Sequence, residues 1–338
     1  MCTSRGMTHA KFKFIFHHIY AVAPTVDSVD SAASDESEPE DNSESDEGTA
    51  DRFTFDPKCK PFFVQLKNGN ILICVRPGTY MTVDEMMQRF KGRSPDTFRM
   101  RGKPIGSGYK FYSICDVDTK FVFCVLPYGR CSTKVGVIAT VEELIKSLPD
   151  RGDYDYVAVM DNYFTYDRTL LTCLDAGVHV VGTARGKPNW PPAALKDQDD
   201  MRFNSLHHLT HSSGKFKIYR WMDNGVVYLV STLHDPKAVV ERQRKRPRTT
   251  QNNRMNVRNV WGDKHVRNIE IPGCVDTYNQ KKVGVDGADQ LIASYAPHIR
   301  FKRTWMPLMQ HALNCMRINS YAVHKDLCGG FFCSGFAP

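Results

Sequence analysis

The sequence predicts an α/β protein built on a mixed sheet flanked by helices. Two observations point to this class: an alternating strand followed by an aromatic-rich hairpin, and a later alternation of helix and strand around a nearly continuous apolar strand. The 338 residues leave room for about two domains, or for one domain with an insertion. With 41% hydrophobic residues, the chain can fill a sizeable core.

The first predicted strand follows a Pro-Gly turn at 77–78, where polar and apolar residues begin to alternate. Because successive side chains of a strand point to opposite faces, Met81 and Val83 share one face while Thr82 and Asp84 share the other. This places one acid on the polar face of a core strand.

Two aromatic-rich stretches, 109–116 and 120–127, are separated by a short turn and predict a hairpin. Apolar residues at helical spacing then predict a helix over 138–148. The next stretch, 155–161, predicts a buried strand that ends in Asp161.

The alternation continues with a helix over about 166–175 and a strand over 178–182. It then breaks down. Two short strands are predicted at 215–220 and 226–230, followed by a polar, basic tract over 241–268 that we interpret as a flexible loop.

Helical periodicity returns at Tyr278, and a last helix is predicted over about 305–325. The predicted organisation has five segments: 1–52, disordered and acidic from about residue 21; 53–185, the first part of the α/β core; 186–275, a small β-rich insertion with the basic loop; 276–296, a core helix; and 297–338, a C-terminal helical segment.

The charge is divided unevenly along the chain. Residues 21–51 hold eleven acids and no Lys or Arg, so the other 307 residues carry +19 although the whole chain carries only +8. A folded part this basic predicts a polyanionic partner, and nucleic acid is the commonest one. No apolar run approaches the ~20 residues that a membrane span needs, so we expect no membrane partner.

Four acids stand out as candidate metal ligands. Asp84 lies on the first strand, Asp161 ends a buried strand, and Asp286 and Asp289 are three residues apart on one helix face. Carboxylates in this arrangement could hold the pair of Mg²⁺ ions that assists phosphoryl displacement. The spacing alone is weak evidence for a metal site, because an N-terminal helix cap at Asp161 and a solvated helix face at 286/289 explain the same acids.

Three strings carry a family resemblance: TVDEMMQRFKGRS at 82–94, VMDNYFTYDRTLL at 159–171 and YNQKKVGVDGADQL at 278–291. In this order they resemble the three signature blocks of piggyBac-type transposases, and the resemblance extends over about 60–325.

The resemblance implies a ribonuclease H-like catalytic core, with catalytic, metal-holding aspartates at Asp84, Asp161 and Asp286 and an accompanying acid at Asp289. It also implies Mg²⁺, with Mn²⁺ as a substitute, and no organic cofactor. The implied reaction is cleavage at transposon ends that releases a 3′-hydroxyl, passes through a DNA hairpin and joins DNA at TTAA targets.

Three departures from the family pattern affect this expectation. About 30 ordered residues precede Asp84 where the family has a few hundred, the C-terminal cysteine-rich module is missing, and Val283 stands where a glycine is common. We therefore expect a truncated chain with impaired DNA-end binding, and enzymatic activity stays open. The alternative is a domesticated or relic protein that binds DNA or chromatin without catalysis.

Basic residues beside the signature blocks and in the basic tract are predicted to contact DNA phosphates. They are Lys91, Arg93, Arg244, Lys245, Arg246, Arg300, Lys302 and Arg303. The run at 242–248 also resembles a nuclear-localisation signal. The sequence thus predicts a nuclear protein that binds double-stranded DNA, with a homodimer as a candidate assembly.

Overall fold

The computed structural model describes residues 77–100, 102–129, 136–149, 154–185, 190–192, 202–249, 254–297 and 299–327, together with Phe63 and Leu195. The segment 1–52, which we predicted to be disordered and acidic from about residue 21, lies outside these residues.

Most described residues belong to eleven strands and six helices. The strands are β1 (Tyr80–Arg89), β2 (Phe98–Arg99), β3 (Ser107–Asp116), β4 (Val122–Tyr128), β5 (Tyr156–Met160), β6 (Val178–Ala184), β7 (Leu206–Thr210), β8 (Lys217–Met222), β9 (Val226–Ser231), β10 (Val239–Lys245) and β11 (Val266–Pro272). The helices are α1 (Val137–Lys146), α2 (Asp167–Asp175), α3 (Arg254–Trp261), α4 (Gly273–Lys281), α5 (Gly284–Tyr295) and α6 (Met306–Leu327).

Nine of the strands form one mixed sheet in the order β2-β3-β1-β5-β6-β9-β8-β7, with β4 also paired to β3. The central strands β1, β5 and β6 run parallel to one another, whereas β1 pairs with β3 antiparallel and β6 pairs with β9 antiparallel. The predicted α/β class is therefore confirmed. Strands β10 and β11 form a separate antiparallel pair, called the basic strand pair below.

Helices cover both faces of the sheet, and β1 contributes to both cores. Met81 and Val83 belong to one apolar cluster, which also takes Leu144 of α1. On the opposite face Met86 belongs to a second cluster with Val285 of α5. The alternation of β1 therefore turns Asp84 toward the face that α5 covers.

The structure confirms the predicted first strand, the hairpin, the alternation from α1 to β6, the strands β8 and β9, and the last helix. It corrects the basic tract, where we predicted a flexible loop. There the chain forms β10, α3 and β11, because each strand obtains its backbone hydrogen bonds from the other. The structure also adds β7, which we did not predict, and begins α4 at Gly273 rather than at Tyr278.

Strands β7 to β9 extend the central sheet, because β9 pairs directly with β6. The predicted boundary at 185/186 therefore falls between strands of one sheet. In the described part of the chain, no helix has the length and apolarity to cross a bilayer.

Candidate active site

The register of the central sheet brings the first two aspartates together. Val83 of β1 pairs with Met160 of β5, so the next residues along these parallel strands are Asp84 and Asp161. Since neighbouring strands lie about 5 Å apart, the two residues start from adjacent backbone positions at this edge of the sheet.

Backbone amides orient both carboxylates. The amide of Glu85 donates to Asp84 Oδ1 at 2.7 Å, and the amide of Tyr163 donates to Asp161 Oδ1 at 2.5 Å. Helix α2 begins later with Tyr166 as its N-cap residue, so the capping interpretation of Asp161 is wrong.

Helix α5 brings the other two acids within electrostatic reach of the first two. Its apolar residues Val285 and Ala288 are fully buried against the sheet, which fixes the rotation of the helix. Asp286 then lies exposed in the first helical turn, while Asp289 is partly buried one turn later. The solvated-face interpretation therefore fits Asp286 and not Asp289. We call these four acids and their backbone supports the carboxylate edge.

Burial, together with nearby like charge, raises the pKa values of two of these acids. Burial, followed by the nearby Asp286 and Asp161 carboxylates, raises the pKa of Asp84 to about 6. Burial and the Asp286 carboxylate raise the pKa of Asp289 to about 7. Among the described residues no ion pair reaches any of the four acids, whereas the adjacent Glu85 pairs with Lys110 at 2.5 Å.

Two residues near these acids were missed by the sequence analysis. The Lys103 ammonium, on the loop before β3, opposes the rise in the pKa of Asp84 and Asp289. The phenol of Tyr278 accepts a hydrogen bond from Thr183 Oγ1 at 3.4 Å, and Thr183 follows the pair Met160–Gly182 in the β5–β6 register. The sequence carries no local signal for either residue, because long-range pairing decides their positions.

Burial raises the pKa of the Tyr278 phenol, and the carboxylates of Asp161, Asp84 and Asp286 add to the rise. The phenol is therefore protonated at neutral pH and faces the same site as these acids.

The chemistry of the carboxylate edge fits a hard divalent cation. Mg²⁺ and Mn²⁺ prefer carboxylate oxygens, and a cation would favour the ionised form of Asp84 and Asp289, whose pKa values are raised by burial and by neighbouring carboxylates. In the arrangement that the described residues adopt, no three His, Cys, Asp or Glu side chains form a group that could hold a metal ion. The donor types therefore match the cation, while closure of the coordination shell requires the carboxylates to move.

The basic strand pair uses much of its charge internally. Arg242 forms two hydrogen bonds to Asp276 at 2.7 and 2.8 Å. Arg244 pairs with Asp223 at 2.9 Å, and its guanidinium lies 5.1 Å from the ring centre of Trp221. These contacts leave less of each side chain for an external phosphate.

The other predicted DNA contacts fall into three segments. Arg246 is half-buried just after β10, where its Nη1 donates to the carbonyl of Gly262 at 2.8 Å, and Lys245 is exposed on the face of β10 opposite Arg244. Lys91 and Arg93 are exposed just after β1. The remaining three are exposed between α5 and α6: Arg300, Lys302 and Arg303.

Comparison with known proteins adds independent findings. A family model described as "Transposase IS4" matches residues 3–321. The human "PiggyBac transposable element-derived protein 3" is 28% identical over 299 residues, which are 82% of this chain and 46% of that protein. The human "PiggyBac transposable element-derived protein 2" is 23% identical over 295 residues, 85% of this chain and 46% of that protein.

Among solved structures, the "Cryo-EM structure of piggyBac transposase synaptic complex with hairpin DNA (SNHP)" superposes with a TM-score of 0.60 at 24% identity. The match covers 76% of this chain and 49% of that chain. The similarity confirms the ribonuclease H-like fold. This chain spans about half the length of the curated relatives that it matches.

Proposed function

Because the chain belongs to the piggyBac-type transposase family, we propose that it performs metal-dependent DNA phosphodiester hydrolysis and strand transfer at TTAA sites. The observation that carries the proposal is the convergence of four acids at the carboxylate edge, without an ion-pair partner among the described residues. Like charges are costly to gather in this way unless a cation is bound during function.

Three of the acids would hold a pair of cations. Asp84 and Asp161 would share one ion, Asp286 would complete a second site, and Asp289 would support them. Mg²⁺, with Mn²⁺ as a substitute, would polarise the scissile phosphate and activate the attacking oxygen.

The chain's own contribution is to hold the ligands in place. The amides of Glu85 and Tyr163 fix one oxygen each of Asp84 and Asp161. The protonated Tyr278 phenol can donate a hydrogen bond into the site, since its oxygen already accepts one from Thr183. No organic cofactor is needed for this chemistry.

The partner that we propose is double-stranded DNA. The solved relative named above was determined as a complex with hairpin DNA, and the exposed basic segments around 91–93 and 300–303 of this chain could contact phosphates. A homodimer and a nuclear location are further parts of the proposal.

A second candidate function is DNA or chromatin binding without catalysis. It needs the exposed basic residues, such as Lys245, and does not need the carboxylate edge. Both candidates predict salt-dependent DNA binding, so only a catalytic assay separates them.

The test is nicking of supercoiled plasmid DNA in Mn²⁺ or Mg²⁺ by the parent chain, Asp286→Asn and Asp175→Asn. Both substituted aspartates are exposed, but Asp175 pairs with Lys215 at 3.0 Å, away from the site. We expect Asp286→Asn to slow nicking at least about a hundredfold, because cation-mediated stabilisation is worth several kcal/mol. Asp175→Asn should nick like the parent.

A parent chain that binds plasmid without nicking it would overturn the catalytic proposal and favour the second candidate. Sequencing of joined products tests the target preference, and insertion away from TTAA would contradict that part of the proposal.

A further inference from the structure

One buried hydroxyl joins the first strand to the break between two helices. Thr82 Oγ1 donates to the carbonyl of Lys281, the last residue of α4, at 3.0 Å. The same oxygen accepts a hydrogen bond of 3.3 Å from the backbone amide of Gly284, the first residue of α5. Thr82 is 3% exposed, so water does not compete freely for either bond.

These two backbone groups belong to the set that helix ends leave unpaired. The last carbonyls and the first amides of a helix have no partner within the helix. The N-cap residue of α5 is Val283, whose side chain makes no capping hydrogen bond. Thr82 supplies the missing cap from a strand about 200 residues earlier in the chain.

The contact is close enough to require glycine at the helix start. A β-carbon on Gly284 would lie 2.6 Å from Thr82 Oγ1 and 3.0 Å from Thr82 Cβ. Any side chain there would push α5 away from β1. Gly284 and Thr82 therefore form a matched pair.

The pair sits two residues before an acid on each element. Strand periodicity puts Thr82 and Asp84 on the same face of β1. Asp286 follows Gly284 within the first turn of α5. A fixed contact between Thr82 and Gly284 therefore fixes the approach of the Asp286 side chain to Asp84.

We propose that Thr82 is a positioning residue, whose hydroxyl holds the start of α5 so that Asp286 and Asp84 can bind the same divalent-cation cluster. This inference rests on the proposed function for the cation, while its geometry rests on the hydrogen bonds alone. Two exposed lysine contacts also reach this junction: Lys281 pairs with Asp118 at 3.3 Å, and Lys120 Nζ lies 3.5 Å from the carbonyl of Val283. They tie the junction to the β3–β4 turn, whereas Thr82 hydrogen-bonds it to β1, the strand that carries Asp84. The Lys281 ammonium also lies 4.8 Å from the ring centre of Tyr80 at the start of that strand.

The test compares Thr82→Val, which removes the hydroxyl at nearly constant shape, with Thr82→Ser, which keeps it. Thr140→Val is the matched control. Thr140 is also 3% exposed, and its Oγ1 donates to the carbonyl of Gly136 at 3.1 Å at the start of α1. The variant Thr140→Val therefore loses an equivalent hydrogen bond at a position far from the four acids.

Two readouts are measured on the full chain: Mn²⁺ affinity by calorimetry, and hydrogen–deuterium exchange of the peptide that contains Gly284. We expect Thr82→Val to weaken Mn²⁺ binding about tenfold or more, as loss of outer-shell support does. Exchange at Gly284 should become about tenfold faster, because its amide loses its acceptor. Thr82→Ser and Thr140→Val should match the parent in both readouts.

Parent-like Mn²⁺ affinity in Thr82→Val would overturn the positioning role, whatever happens to its melting temperature. If the parent binds no Mn²⁺, the proposed cation site is contradicted instead. The exchange data then test the hydrogen bonds separately. Unchanged exchange at Gly284 in Thr82→Val would contradict the hydrogen bond between the Thr82 hydroxyl and the Gly284 amide.

Discussion

The carboxylate edge and the basic strand pair both concentrate charge of one sign, but only one of them neutralises it internally. At the carboxylate edge, burial and neighbouring acids raise the pKa of Asp84 and Asp289, and no described cation forms an ion pair there. In the basic strand pair, Arg242 pairs with Asp276 and Arg244 pairs with Asp223. The comparison shows that a charge run in a sequence is weak evidence for a ligand, whereas uncompensated charge in the folded state is strong evidence.

The largest expected effect concerns pH. The folded-state pKa values of Asp84 and Asp289, about 6 and about 7, lie above the ordinary value of 3.8. The folded state therefore binds more protons than the unfolded state between these values, so the metal-free protein should lose stability as pH rises from about 4 to about 7. Since each pKa unit is worth about 1.4 kcal/mol, we expect a loss of several kcal/mol in the free energy of unfolding, measured in urea with a chelator present.

Asp289→Asn is the variant that isolates this effect, and it should flatten the decline. The matched variant for the basic strand pair is Asp276→Asn, because Asp276 is the ion-pair partner of Arg242. The Arg242 guanidinium lowers the pKa of Asp276, so that ion pair stabilises the fold above the ordinary pKa and is lost as pH falls below it. If the decline between pH 4 and 7 keeps its full size in Asp289→Asn, the raised folded-state pKa of Asp289 is contradicted.

A smaller effect on stability should appear within the basic strand pair, where Arg244 contacts other residues of the protein and the neighbouring Lys245 is available to DNA. Arg244→Ala leaves Asp223 and Trp221 without their partner and should cost about 1 kcal/mol of stability. Lys245→Ala, on the exposed face, should leave stability unchanged and lower the slope of log DNA affinity against log salt by about one.

Urea unfolding and salt-dependent DNA titration of both variants provide the measurement. If Lys245→Ala leaves the salt slope unchanged while Arg244→Ala lowers it, Arg244 contacts DNA and Lys245 does not, which contradicts our assignment. An unchanged slope in both variants would remove this strand from the DNA interface.

Much of the fold could be predicted because its elements carry local patterns. Alternation identified β1, apolar continuity identified β5, and helical spacing identified α1 and α6. The sequence analysis missed β7 and the basic strand pair, since polar or charged residues interrupt the apolar residues of these strands. Leu206–Thr210 is largely exposed, and only its partner β8 makes it a strand.

The candidate site was predictable in part for the same reason. Asp84 and Asp161 could be chosen from strand patterns and family resemblance, but Lys103 and Tyr278 reach the site through long-range packing. Likewise the break between α4 and α5 follows no local proline, and its partner Thr82 lies far away in sequence. No single-sequence pattern contains such contacts.

The most direct test of the central claim is calorimetric Mn²⁺ binding to the parent chain and to Asp161→Asn. The substitution removes charge while asparagine Oδ1 can still accept the Tyr163 amide, so the turn after β5 should persist. We expect the parent to bind Mn²⁺ and Asp161→Asn to bind it at least about tenfold more weakly. Equal binding by the two proteins, or binding by neither, would contradict a cation site at the carboxylate edge.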